Sequence, residues 1–100
     1  MEFAVMPKSD HQVEAGARLR AAIDAAGLTY VQAGEIMGAS KSNVGNWMRG
    51  DAPINPYALY RFCRITGCTA DWILLGDPSG LPQRLARQLA QAAPEPQSAD

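Results

Sequence analysis

The sequence contains only two cysteines and one histidine among its 100 residues. Two cysteines are too few for the disulfide framework of a small secreted domain. Both lie within apolar patterns, so we expect Cys63 and Cys68 to be reduced thiols that pack as small hydrophobic side chains. A zinc site would need further ligands, yet His11 stands alone near the amino terminus. The sequence therefore predicts neither a disulfide-rich protein nor a metal site.

Long apolar runs are also missing from the chain. None approaches the roughly 20 residues that a membrane span needs, and residues 1–15 lack a basic start followed by an apolar stretch. The balance of 47% hydrophobic and 19% charged residues is that of an ordinary globular domain. We therefore expect one small, soluble, cytoplasmic domain without a membrane partner. Its core is marginal for its size, so oligomerisation could add stability.

Strand patterns are absent, because β-branched and aromatic residues nowhere alternate with polar ones for more than a few positions. Five glycines instead separate segments of helical length, and four of them directly follow an apolar-periodic stretch, where helices usually end. The pattern predicts an all-α, compact five-helix domain. The helices are expected at residues 10–26, 30–37, 41–49, 56–66 and 70–75, with Thr29, Ser40, Asn55 and Thr69 as N-caps.

The two ends of the chain differ from this middle part. We divide it into a flexible N-terminal arm (residues 1–9), a domain (10–76), and a linker with a disordered tail (77–100). A short sixth helix could form over residues 82–93. Inward-facing side chains are predicted on the third helix at Val44, Trp47 and Met48, and on the fifth at Trp72, Ile73 and Leu75.

Charge is distributed unevenly, although the net charge is only −1. Residues 18–64 carry six basic and three acidic side chains, whereas acidic residues outnumber basic ones on both sides of this segment. A local basic patch of this kind can attract phosphate groups even on a mildly acidic protein.

The connection Gly38-Ala39-Ser40 joins two short helices so tightly that they must cross steeply. A second helix with a polar outer face after such a turn makes a helix-turn-helix arrangement, and that helix can enter the major groove of DNA. Four segments resemble, in order and spacing, the phage-repressor (lambda repressor and Cro-like) helix-turn-helix family. They are Leu28-Thr29, Gly38-Ala39-Ser40-Lys41-Ser42-Asn43-Val44, Asn46-Trp47-Met48-Arg49-Gly50 and Ala70-Asp71-Trp72-Ile73-Leu74-Leu75-Gly76.

The resemblance covers about residues 15–76 and implies that the N-terminal half of the third helix reads base edges. It assigns this role to Lys41, Ser42 and Asn46, with Gly45 between them. The side-chain chemistry agrees: Lys41 can donate to guanine, Asn46 can pair with adenine, and Ser42 can bond to several bases or a phosphate. Gly45 costs the helix up to about 1 kcal/mol relative to alanine, which a close backbone approach to DNA would justify. The alternative is a merely solvated polar face.

Phosphate contacts are expected around this helix. The predicted residues are Tyr30, Asn43, Arg49, Tyr57 and Arg61. Tyr30 could equally pack over the first helix. Arg18 and Arg20 are predicted to be solvated charges.

Two departures from the family affect these expectations. The family commonly pairs an arginine of the first helix with a glutamate of the third, but here Ile23 and Met48 stand at those positions and should touch. The loop 51–55 carries only the acid Asp51, where relatives often have basic residues.

Weaker phosphate binding would favour a homodimer. The predicted dimer surfaces are the fifth helix with the linker and the stripe Leu81, Leu85 and Leu89, unless that stripe folds back on its own core.

The sequence and the resemblance together predict a bacterial or phage-encoded transcription regulator, a repressor that binds a palindromic operator as a homodimer. No nucleophile, base and orienting group occur together, so we expect neither an enzyme nor a cofactor. Two alternatives stay open. One is an antitoxin that represses its own promoter while its tail, residues 77–100, binds a partner protein. The other is a helix-turn-helix protein-interaction module without DNA binding.

Overall fold

A computed structural model describes residues 3–92, and the regular structure in this range is helical throughout. The predicted all-α class is therefore confirmed. The six helices are α1 (Lys8–Ala25), α2 (Tyr30–Met37), α3 (Lys41–Arg49), α4 (Pro56–Thr66), α5 (Ala70–Leu75) and α6 (Gln83–Ala92). The start of α1 lies inside the predicted arm, because Pro7 is its N-cap and its carbonyl already accepts from the His11 amide. The disordered end predicted over residues 94–100 lies outside the described residues.

Side-chain caps define where α2 to α5 begin. Each of the four predicted caps, Thr29, Ser40, Asn55 and Thr69, accepts a hydrogen bond from the backbone amide three residues later, at 3.0–3.1 Å. At α2 the bond is reciprocated, since the Gln32 side-chain oxygen accepts from the Thr29 amide at 2.9 Å. These local bonds define where both helices of the helix-turn-helix unit begin.

A single hydrophobic core joins the helices. Its largest fully buried side chains are Leu19, Ile23, Met37, Val44, Phe62, Ile73 and Leu89. Met48 is partly buried against this core, which also contains Ile23, and direct contact between the two stays a prediction.

The predicted burial of Leu75 is wrong, because this side chain is 74% exposed. Ile73 is fully buried and marks the centre of the inner face of α5. Leu75 lies two residues further on, about 200° around the helix, and therefore points away from the core. Leu74 is partly buried in its place.

Helix α6 packs against α1 and completes the core. Leu89 is 1% exposed and Leu81 is 9% exposed, while Leu85 is partly buried against the same core. The Leu81, Leu85 and Leu89 stripe is therefore occupied within its own chain. This corrects its prediction as a dimer surface in favour of the alternative that it folds back.

Helices α1 and α3 approach each other closely at Gly16, which is buried. A Cβ atom at this position would overlap the carbonyl oxygen of Trp47 and lie 2.8 Å from that of Met48. Backbone atoms in a packed core move little, so a methyl group cannot be accommodated cheaply. The two helices cross at this distance only because residue 16 has no side chain.

We expect Gly16→Ala to lower the free energy of unfolding by about 1–3 kcal/mol, the usual cost of overpacking. Urea unfolding monitored by circular dichroism measures this effect. Gly45→Ala is the matched control, because it makes the same substitution within a helix but meets only the flexible end of Arg49. Equal stabilities of Gly16→Ala and the parent would contradict the close approach of α1 and α3.

Candidate nucleic-acid interface

The turn between α2 and α3 is short because its first residue adopts a left-handed conformation. Gly38 has φ 71°, a value that side chains disfavour, and it ends α2. The amide of Ala39 then donates to the carbonyl of Gly34 at 2.8 Å. Ser40 immediately caps α3, so only three residues separate the two helices. This is the connection that the sequence predicts for a helix-turn-helix unit.

Helix α3 has one buried face and one exposed face. Val44 and Trp47 are buried, whereas Lys41, Ser42 and Asn43 at the start of the helix are exposed. The four predicted base-reading residues, at positions 41, 42, 45 and 46, lie on two successive turns of α3. They therefore share one side of the helix. The structure thus leaves the N-terminal half of α3 open to an incoming partner.

A groove of about 680 Å³ runs beside this exposed face. Lys41, Ser42 and Gly45 line it, but Asn46 is partly buried on its flank and does not. Residues from three helices form its walls: Arg20 of α1, Tyr30 of α2, and Lys41, Ser42, Gly45, Met48 and Arg49 of α3. Three of these side chains are basic. The groove therefore combines positive charge with hydroxyl donors beside the start of α3.

Residues 14–73 match the family model of the helix-turn-helix domain, which is more than half of the chain. The chain belongs to the helix-turn-helix domain family. Searches of curated proteins and of solved structures gave no significant match. The match begins within α1, contains all of α2, α3 and α4, and ends within α5, so the groove and the exposed face of α3 are parts of the helix-turn-helix domain.

Arg49 closes one end of the helix-turn-helix groove through two side-chain contacts. Its Nη2 donates to Oδ1 of Asn46 at 2.6 Å, and its Nε donates to Oδ2 of Asp51 at 3.0 Å. The side chains of Arg49 and Asp51 are 62% and 60% exposed, and ion pairs this exposed contribute little to stability. The ion pair with Asp51 therefore holds the Arg49 side chain in place only weakly.

The structure gives Arg61 a different contact from the one predicted. Its Nε donates to the carbonyl of Ile36 at 2.6 Å and its Nη2 to that of Glu35 at 3.5 Å, so it binds the C-terminal end of α2. A guanidinium satisfies the unpaired carbonyls of a helix end and complements its dipole. Arg61 therefore holds α2 against α4 within the helix-turn-helix domain, and any phosphate contact of this side chain would compete with these two bonds.

Arg18 was predicted to be a solvated charge, and this is wrong. Its Nε and Nη2 donate to the carbonyls of Ile73 and Leu74, at 2.8 and 3.2 Å. The imidazole Nε2 of His11 lies 3.0 Å from the same Leu74 carbonyl. Both side chains therefore bind the C-terminal end of α5 to α1.

Tyr30, Asn43 and Tyr57 remain available for the predicted phosphate contacts. Tyr30 is partly buried against the core and also lines the groove. Its position is compatible with packing inside the protein and with a phosphate contact. Asn43 is exposed. Tyr57 is 64% exposed and stacks on Tyr60 with ring centroids 5.8 Å apart, but it does not line the groove.

The two cysteines are free thiols, as the sequence predicts. Burial, and after it the neighbouring Cys63, raise the pKa of Cys68 to about 11, although a hydrogen bond to the Thr69 backbone acts in the opposite direction. Burial also raises the pKa of Cys63. Both therefore stay protonated near neutral pH, which makes them poor nucleophiles and poor metal ligands.

Within residues 3–92 no three His, Cys, Asp or Glu side chains cluster as a metal site. No helix in the same range is long and apolar enough to cross a membrane.

Proposed function

We propose that this helix-turn-helix protein is a sequence-specific transcription regulator that binds double-stranded DNA by placing α3 in the major groove. The observation that carries the proposal is the open N-terminal half of α3, with Lys41 and Ser42 exposed beside a groove lined by three basic side chains. The major groove is wide enough to admit one helix, and there each base pair presents a distinct pattern of donors and acceptors.

Lys41, Ser42 and Asn46 are the proposed base-reading residues. Lys41 and Ser42 have no side-chain hydrogen bond or ion pair among the described residues, so their donors are free for base edges. Asn46 is held only by the exposed Arg49. Once Arg49 turns to a phosphate, the Asn46 amide can pair with both N6 and N7 of an adenine.

The fold does not require a glycine at position 45, so the proposal has to explain why this residue has no side chain. A Cβ there would meet only the guanidinium of Arg49, with Nη1 at 3.0 Å. Arg49 is exposed and flexible at that end, so it can move aside. The missing side chain is better explained by the close approach of DNA to the α3 backbone.

We therefore expect Gly45→Ala to raise the free energy of unfolding by up to about 1 kcal/mol, because alanine is the better helix former. The same variant should bind DNA more weakly than the parent. Urea unfolding and a fluorescence-anisotropy titration of labelled duplex measure the two effects. A variant that is more stable and binds DNA as tightly as the parent would show that the Gly45 position does not approach DNA.

A homodimer is the second part of the proposal. One short helix reads few base pairs, whereas a two-fold dimer places two such helices about 34–36 Å apart and reads a palindrome. Since the leucine stripe before and within α6 is buried in its own core, we place the dimer contact at α5, where Leu75 is 74% exposed. We propose that the protein acts as a repressor by occupying its operator.

Selection of bound sequences from a random duplex pool at about 100 mM salt tests the proposal, since that concentration already screens weak binding by charge alone. We expect enrichment of one motif with two-fold symmetry. An asymmetric motif would contradict the dimer while keeping the DNA-reading role. A folded protein that enriches no motif would contradict the proposed function and favour a protein-interaction module.

A further inference from the structure

Five arginines lie between the start of α1 and the end of α4, and three of them are bound within the protein. Arg18 and Arg61 donate to helix-end carbonyls, and Arg49 pairs with Asp51 and Asn46. Arg20 and Arg64 are the exceptions, because neither has a hydrogen bond or ion pair among the described residues and both are exposed. Of these two, Arg20 lines the groove beside α3 and Arg64 does not. Asp24, one turn further along α1, forms no ion pair with Arg20 in this part of the chain.

The position of Arg20 on α1 follows from the close approach at Gly16. Residues four apart lie on the same side of a helix, so Arg20 continues the side of α1 that contacts α3 at Gly16. Gly16 meets the end of α3 at Trp47 and Met48, and Arg20, one turn on, lines the groove with Met48, Gly45 and Lys41. Arg18, two residues earlier, lies about 200° around the helix and therefore contacts α5 instead.

The groove thus brings the uncommitted guanidinium of Arg20 to the same side of the molecule as the base-reading start of α3. Lys41 and Arg49 add two cationic groups, and Tyr30 and Ser42 add hydroxyl donors. Guanidinium, ammonium and hydroxyl groups around one groove suit the oxygens of a phosphodiester. Among the described residues, the one carboxylate that pairs with these cations is Asp51, and it pairs with Arg49 rather than with Arg20.

We propose that Arg20 binds a DNA backbone phosphate at the edge of the major groove and takes the role that the sequence predicts for Arg61. This inference rests on the proposed function, because it requires α3 to lie in the groove. Arg20 then fixes the position of the domain on the duplex without reading sequence, since phosphates are the same at every base pair.

The test compares Arg20→Gln with the matched variant Arg64→Gln, which removes one exposed positive charge from α4. Affinity is measured for the selected duplex and for an unrelated duplex at several salt concentrations. The logarithm of the binding constant falls with the logarithm of the salt concentration. We expect Arg20→Gln to make this slope shallower by about 0.9, the value for one phosphate contact. Its affinity should fall by the same factor on both duplexes. Arg64→Gln should leave the slope unchanged, and Arg20→Lys, which keeps the charge, should restore it.

Each other outcome overturns the assignment in a distinguishable way. An unchanged slope for Arg20→Gln, with normal binding by the parent, overturns the role of Arg20 alone. Equal losses for Arg20→Gln and Arg64→Gln indicate an effect of net charge rather than a contact. A loss on the selected duplex only indicates base reading by Arg20. If the parent binds neither duplex, the proposed function fails and the assignment fails with it.

Discussion

Trp47→Ala is expected to lower the free energy of unfolding by about 3–5 kcal/mol, the usual cost of truncating a buried aromatic side chain. Trp47 is 7% exposed and packs in the hydrophobic core that α3 shares with the other helices. Its carbonyl also lies against Gly16 and accepts from the Gly50 amide at 3.1 Å. Small domains have a total stability of about 5–15 kcal/mol, so this one change removes a large part of it.

Urea unfolding monitored by circular dichroism measures the effect without depending on the lost indole fluorescence. Val31→Ala is the matched control, because Val31 is 51% exposed on the outer side of α2. Surface substitutions of this kind usually change stability by less than about 0.5 kcal/mol. Similar small losses in both variants would contradict the view that α3 is fixed to the core through Trp47.

The second large effect is expected on DNA binding. Lys41→Ala and Asn46→Ala should each weaken binding to the selected duplex by about 1–3 kcal/mol and relax specificity at one base pair. Together they should cost about 2–6 kcal/mol if the two contacts are independent. Competition titrations with duplexes substituted at single positions measure both the loss and the relaxed base pair.

Arg49→Ala separates base reading from the contact between Asn46 and Arg49. Because Arg49 is proposed to bind phosphate, its loss should weaken binding to selected and unrelated duplexes by the same factor. Variants at Lys41 and Asn46 that bind the selected duplex as tightly as the parent would show that this face of α3 does not read bases.

Local signals account for most of what the sequence predicts correctly. Thr29, Ser40, Asn55 and Thr69 cap their helices through bonds that span only three residues, so their partners are visible in the sequence. The exposed start of α3 is predictable for the same reason. Its polar residues alternate with Val44 and Trp47 at helical spacing, which separates the two faces before any packing is known.

The arginines show where sequence reasoning stops. Arg18 and Arg20 lie two residues apart on one helix, and the same prediction of solvated charge was made for both. Their different contacts depend on which helix packs on each side of α1, and this is set by the tertiary fold. Arg61 depends in the same way on the end of α2 lying against α4. Only the close approach at Gly16, which the sequence did not reveal, places Arg20 along α3.

The apolar side chains show a related limit. The spacing of Leu81, Leu85 and Leu89 indicates that a surface covers them, but it does not say whether that surface belongs to the same chain. In the structure α6 packs against α1, and the stripe joins the core of its own chain. Leu75 was misplaced because α5 has only six residues, too few for periodicity to define its inner face.

The measurement that tests the central claim most directly is a titration of the isotope-labelled protein with the selected duplex, followed by the backbone amide NMR shifts. We predict the largest changes over residues 41–46 of α3, at the first turn of α2, and beside Arg20 in α1. The amides of α6 should change little at each DNA addition. Largest changes on α4, α5 or α6, with α3 unaffected, would contradict the account that α3 is the DNA-reading helix.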